Sequence, residues 1–91
     1  MSVKVRIPTQ LRTLSGGASE VAVDGSTVGE VLKALDDAHP GFHDRLYDDT
    51  GGLRRFVNVF VADEDVRFAQ GVDTPVEAGV TVSIVPAVAG G

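Results

Sequence analysis

Polar and apolar residues alternate from Ser2 to Ile7, with Val3, Val5 and Ile7 on one face and Lys4 and Arg6 on the other. A period of two marks a half-buried strand. After a loop containing Gly16-Gly17, Glu20 to Asp24 alternates again with Val21 and Val23 inward, and Asp24-Gly25 ends the run. The two segments are predicted to form a hairpin. The period then changes: Val28, Val31, Leu32 and Leu35 recur at i, i+3, i+4 and i+7, an apolar helical stripe. Thr27-Val28-Gly29-Glu30 fits a capping box at its start, and His39-Pro40-Gly41 stops it, because proline cannot continue a helix.

Further along, Phe42 to Asp49 predicts another helical turn, and Asp48-Asp49-Thr50-Gly51-Gly52 has the chemistry of a loop. Arg55 to Ala62 reads as a strand with Val57, Val59 and Val61 on one face; Asp63-Glu64-Asp65 turns it, and Val66 to Phe68 is expected to return as a short strand. Val72 to Gly79 is predicted as loop with a single helical turn. Val80 to Val85 is the last strand, closed by Pro86, which lacks a ladder donor. Two strands, a helix and three further strands predict an α+β fold of the β-grasp, or ubiquitin-like, type: a mixed sheet with one main helix on one face. A helical crossover would let the last strand lie parallel to the first in the middle of the sheet.

With 91 residues the chain is sized for a single core. Residues 1–86 are expected to form the domain and residues 87–91 a flexible C-terminal tail. The net charge of −5 disfavours a nucleic-acid partner, whose phosphates call for Lys and Arg. No apolar run approaches the roughly 20 residues of a membrane helix, and no secretory pattern is visible, so a cytoplasmic, monomeric protein is expected. The absence of cysteine removes disulfides, thiolate metal sites and a thiol nucleophile.

Candidate chemistry in the body is thin. His39 and His43 are spaced as helical metal ligands, but Pro40-Gly41 breaks the helix between them and no third ligand is near, so capping or surface roles are favoured. Asp63-Glu64-Asp65 reads as a solvated turn, because a hard-ion loop needs further spaced oxygens. Neither Gly16-Gly17 nor Gly51-Gly52 continues into a phosphate loop, and Ser15, Ser19, Ser26 and Ser83 have no neighbouring base. Opposite the valines of the fourth predicted element lie Phe56, Asn58 and Phe60, and on the last strand Thr81, Ser83 and Val85. Phe56, Phe60 and Val85 either form an exposed docking patch near the root of the tail or are covered by the segment 42–52.

The tail Pro86-Ala87-Val88-Ala89-Gly90-Gly91 differs from everything before it. At average glycine usage two terminal glycines arise by chance in roughly 0.5% of chains, so a purpose is the better reading. Without Cβ atoms Gly90 and Gly91 can thread a narrow channel, with Ala87, Val88 and Ala89 behind them, and leave the last carbonyl open to attack. Gly91 then offers one reactive group, its carboxylate. Conversion to a mixed anhydride with a nucleotide would activate it, and a sulfur nucleophile could displace the nucleotide to leave a thiocarboxylate.

The element order, "PAVAGG" and "RFVNVFVADEDVRF" together resemble the ubiquitin-like sulfur-carrier family of ThiS and MoaD type, over nearly the whole chain. Within it, the longer strings are similar to carriers of cysteine biosynthesis. The resemblance implies a non-enzymatic co-substrate whose Gly91 is adenylated by an E1-like enzyme using ATP and then sulfurated. Its acceptor would be an activated serine on a PLP-dependent cysteine synthase, and a zinc-dependent peptidase would release cysteine from the adduct. ATP, PLP and zinc would belong to those partners, with no cofactor bound here. A ubiquitin-like modifier conjugated through Gly91, or a carrier serving molybdopterin, thiamine or a thio-natural product, is the alternative the same tail permits.

Overall fold

The computed structural model describes residues 2–50, 52–54 and 57–86. Its strands are β1 (Ser2–Arg6), β2 (Glu20–Asp24), β3 (Val57–Val61), β4 (Glu64–Asp65) and β5 (Thr81–Pro86). Two helices, α1 (Val28–Ala38) and α2 (Phe42–Leu46), lie between β2 and β3. The sheet order is β2-β1-β5-β3-β4. β1 and β5 are parallel, with Val5 opposite Val82, while the other neighbouring pairs are antiparallel. The crossover between the parallel central strands is the one the element order predicts.

Val3 and Val5 of β1, Val57 and Val59 of β3, and Val82 and Ile84 of β5 all point inward and are buried. They meet the α1 stripe of Val28, Val31, Leu32 and Leu35 in one cluster, which Phe42 and Leu46 of α2 complete. Truncating a fully buried leucine such as Leu35 to alanine costs about 2–5 kcal/mol in settings of this kind, so this stripe is the main hold on the helix.

α1 begins as its capping box requires. Thr27 Oγ1 accepts from the Glu30 N–H at 3.2 Å, and Glu30 Oε1 accepts from the Ser26 N–H at 3.0 Å, one residue earlier than in the reciprocal pattern. Gly25 is required just before it, since a Cβ there would stand 2.8 Å from both the backbone N and Cγ2 of Val31. The helix stops at His39, and Asp36 then reaches forward. Its Oδ1 accepts from the Gly41 N–H at 3.2 Å and the His43 N–H at 2.9 Å, capping α2 from the preceding helix. Gly41 turns there with φ of 116°, a left-handed conformation in which a side chain would be strained.

Two segments depart from the sequence pattern. The expected return strand at Val66–Phe68 is a 3-10 turn, and the strand that pairs with β3 is Glu64–Asp65. The cause is a tight hairpin: Val61 pairs with Glu64, leaving only Ala62 and Asp63 as the loop, with φ of 49° and 72°. Asp65 Oδ1 then accepts from the Arg67 N–H at 2.8 Å, which curls the chain out of the sheet, drops Val66 into the core and leaves Phe68 86% exposed. The loop after β1 holds a 3-10 turn at Thr9–Leu11 that the sequence pattern did not predict, with Leu11 in the core and Leu14 packed against it. The predicted helical turn after Val72 is observed as a short 3-10 turn at Gly71–Asp73.

Candidate functional site

β5 is central, paired with β1 up to Ser83 and with β3 up to Pro86, so its C-terminal end is held along β3. Pro86, its last residue, pairs with Val57 at the start of β3, and Ser83 pairs with both Arg6 at the end of β1 and Phe60 of β3. Three separated segments thus meet at Ser83, and β3 continues beside β5 to Pro86. Residues 87–91, including Gly91 and the expected threading residues Ala87, Val88, Ala89 and Gly90, lie outside the described residues.

The outer face of the sheet carries Lys4, Arg6, Asn58, Phe60, Thr81, Ser83 and Val85, as alternation requires. A shallow concavity of about 700 Å³ opens on it beside the end of β5. Phe60, half-buried, and Val85, 44% exposed, both line it, whereas Phe56 lies outside the described residues. Pro8, Thr9, Gln10 and Arg12 of the loop after β1 line the same concavity. The segment 42–52 instead puts Phe42 and Leu46 into the core against α1. Arg6 and Arg12 are balanced in the same concavity by Glu20 and Asp63, so it is amphipathic without a net sign.

The remaining candidates have structural roles. His39 closes α1 through its N–H to the Leu35 carbonyl, and the His43 ring stacks on Tyr47 at 4.8 Å between centroids. Among the described residues no three His, Asp or Glu side chains gather as a metal site. Asp63 sits in the hairpin turn and Asp65 caps the turn after it, so the acidic run is spent on backbone geometry. Ser15 is buried, with its hydroxyl against the carbonyls of Arg12 and Ala18. Asp48 organises the loop before Leu53: the Thr50 hydroxyl, the Thr50 N–H and the Gly52 N–H all donate to its Oδ1 and hold its carboxyl below the usual range. Among the described residues no helix is long and apolar enough to cross a membrane.

The sequence pattern gave no sign of a network that ties the start of β3 together. The Arg67 guanidinium donates from Nη1 to Asn58 Oδ1 at 2.9 Å and from Nη2 to the carbonyls of Arg54 at 2.9 Å and Val57 at 2.8 Å. Arg54 in turn donates twice to the Asp44 carbonyl of α2, at 3.1 and 2.9 Å. The strings "RFVN" and "EDVRF", which lie apart in sequence, meet here through Asn58 and Arg67. Their spacing alone carries no signal of that contact.

A five-stranded mixed sheet with parallel central strands and one main helix packed on one face defines a β-grasp, ubiquitin-like protein. Residues 5–91 match the ThiS family, and the chain belongs to that family of sulfur carriers. It is 47% identical over 93 residues to the sulfur carrier protein CysO of Mycobacterium tuberculosis, covering all of both chains. A chain of the Amycolatopsis orientalis BexX/CysO complex superposes with a TM-score of 0.92 at 47% identity, covering 98% of this chain and 99% of that one. Small archaeal modifier protein 3 of Haloferax volcanii is 38% identical over 68 residues, covering 75% of this chain and 73% of its own.

Proposed function

We propose that Gly91 is where the sulfur is carried, as a C-terminal thiocarboxylate used in cysteine biosynthesis. The observation that bears most weight is full-length similarity to CysO, with the family match running through Gly90 and Gly91. The reaction sequence follows from the carboxylate. One of its oxygens attacks the α-phosphorus of ATP on an E1-like enzyme, expelling pyrophosphate and forming an acyl-adenylate. A sulfur nucleophile adds to that carbonyl and AMP leaves. The thiocarboxylate sulfur then bonds to the β-carbon of an activated serine held by a PLP-dependent synthase, with loss of the activating group; the acyl group passes from sulfur to the cysteine amine, and a zinc-dependent peptidase hydrolyses that amide to free cysteine and the Gly91 carboxylate. ATP, PLP and zinc act on the partners; this chain supplies the acyl group and the surface by which it is gripped.

Phe56, Phe60 and Val85 are proposed as that surface, with Ala87, Val88, Ala89 and Gly90 threading Gly91 into the partner. The concavity that Phe60 and Val85 share beside the end of β5 supports this reading. That a similar chain is found in a BexX/CysO complex supports a partner-gripped surface somewhere on the domain. With no cysteine of its own, the carrier has no thiol to compete for its acyl-adenylate.

Likeness to a Haloferax modifier protein favours a second reading, conjugation of Gly91 to lysines. Intact mass spectrometry after incubation with an E1-like enzyme, ATP and a sulfur source separates the two. An oxygen-to-sulfur mass increase that maps to Gly91 is expected, and lysine-linked adducts would favour the modifier. Unchanged mass would sink the carrier. A variant extended beyond Gly91 is expected to fold but to remain unsulfurated unless trimmed, because the extension removes the carboxylate from Gly91.

A further inference from the structure

Antiparallel ladders alternate. The Ala62 N–H donates to the Thr81 carbonyl, so counting back along β3 the pairs Phe60 with Ser83 and Asn58 with Val85 also bond to β5. Val59 and Val57 therefore turn their backbone groups the other way, toward β4. That strand is only Glu64–Asp65 and pairs with Phe60 and Val61 alone, so it ends before it reaches Val57. An uncovered edge at that point would leave the Val57 carbonyl without a partner from the sheet and the Arg54 carbonyl with the Val57 N–H alone.

Arg67 stands in for the missing strand. Its Nη2 donates to both carbonyls, its Nη1 to Asn58 Oδ1, and its own N–H is held by Asp65, the residue paired with Phe60. The Val57 N–H meanwhile donates to the Arg54 carbonyl at 3.0 Å, closing a ring of bonds around the start of β3. Val57 is the partner of Pro86. What Arg67 fixes is thus the neighbour of the residue from which the tail departs.

We propose that Arg67 is a positioning residue for the chemistry at Gly91: it covers the edge of β3 that β4 does not reach and so sets the point from which the tail departs. A planar guanidinium is suited to this, because its fork reaches two carbonyls and a side-chain amide at once, which an ammonium cannot. The proposal rests on the carrier reading above. A further five residues follow Pro86, so a displacement of their origin displaces by the same amount the region that Gly91 can reach.

The test compares Arg67→Gln, Arg67→Lys and, as a control on the same turn, the highly exposed Phe68→Ala. Amide hydrogen exchange is followed by NMR on the full chain. ATP–pyrophosphate exchange is followed with an E1-like adenylating enzyme, and affinity for that enzyme by calorimetry. Arg67→Gln is expected to speed exchange at the Asn58 and Val85 amides by about tenfold or more while leaving Val5 and Val23 as in the wild type. It is also expected to lower kcat by roughly 10- to 100-fold at unchanged Kd, as a misplaced reacting group does. Arg67→Lys should fall between, and Phe68→Ala should change neither. Unaltered exchange at Asn58 and Val85, equal acceleration across the whole sheet, or a loss in Kd with kcat intact would each overturn the proposal. If Arg67→Gln does not fold, Arg67→Lys carries the same comparison. If the wild-type chain supports no pyrophosphate exchange, the carrier reading fails by itself. Hydrogen exchange then decides alone whether Arg67 sets the origin of the tail.

Discussion

The hairpin between β3 and β4 allows a sharp test of how this fold is held. Its loop is Ala62 and Asp63, both with positive φ, as a two-residue hairpin turn requires if its twist is to match the strands. A left-handed conformation costs an L-residue roughly 1–2 kcal/mol; Asp tolerates it better, whereas Ala has no side-chain bond to offset the cost. Replacing the pair by Asn-Gly (Ala62→Asn with Asp63→Gly) should recover about 2 kcal/mol, less about 0.5–1 kcal/mol for the added freedom of glycine in the unfolded chain. The net gain of about 1 kcal/mol corresponds to a rise in Tm of about 4–8 °C for a domain of this size. Thermal denaturation followed by far-UV circular dichroism measures it. Ala62→Pro should act in the opposite direction, because proline fixes a negative φ and deletes the N–H that donates to Thr81 at 3.2 Å. An unchanged or lowered Tm for Asn-Gly, or a stable Ala62→Pro variant, would refute the assigned turn and with it the pairing of β4.

Other perturbations probe different layers. Gly25→Ala places a Cβ 2.8 Å from the Val31 backbone nitrogen, so the start of α1 must shift, and a loss of about 1–3 kcal/mol in urea denaturation is expected. Asp48 binds its proton less readily when folded than when unfolded, so its contribution is complete above the ordinary carboxylate range and is lost as pH falls through the lowered folded value. The Thr50 amide should accordingly lose its hydrogen-exchange protection in acid, an acid dependence that Asp48→Asn should abolish. Inserting two residues between Pro86 and Ala87 lengthens the reach of the tail by about 7 Å, and should lower kcat for adenylation at unchanged affinity for the adenylating enzyme.

Where residues are held by the core, the sequence displayed the fold. Val3 and Val5, the valines of β3, and the α1 stripe carry their periods because one face of each element is buried. Elsewhere the pattern misled. Val66 and Phe68 alternate as a strand would, yet one enters the core from a turn and the other is left in solvent, because two left-handed residues earlier in the hairpin decide where pairing starts. Leu11 and Leu14 sit in a segment too short to show any period. The side-chain reach of Arg67 back to Arg54 spans 13 residues, and no local rule anticipates it. Of the candidate site, Phe60 and Val85 lie on the outer face as alternation requires, and they share their concavity with the loop after β1, while Phe42 and Leu46 of the segment 42–52 go to the core. Gly91 was read from composition and resemblance alone, and it lies outside the described residues.

These features bear on why a domain without an evident active site among its described residues would need so fixed a sheet. If the chemistry happens at Gly91, the body can influence it only through two quantities, the surface a partner grips and the point from which the tail leaves. Five extended residues reach at most about 17 Å, so a partner gripping Phe60 and Val85 must hold its reaction centre within that radius of Pro86. Placing β5 in the middle of the sheet meets that demand. Moving the whole of β5 would mean breaking it from β1 up to Ser83 and from β3 up to Pro86, a loss shared with the core around Val82 and Ile84. An edge strand could fray without that cost. If Gly91 is the reacting group, the central place of β5 does for its tail what a rigid scaffold does for an active-site side chain: it ties the point at which the tail begins to the stability of the domain.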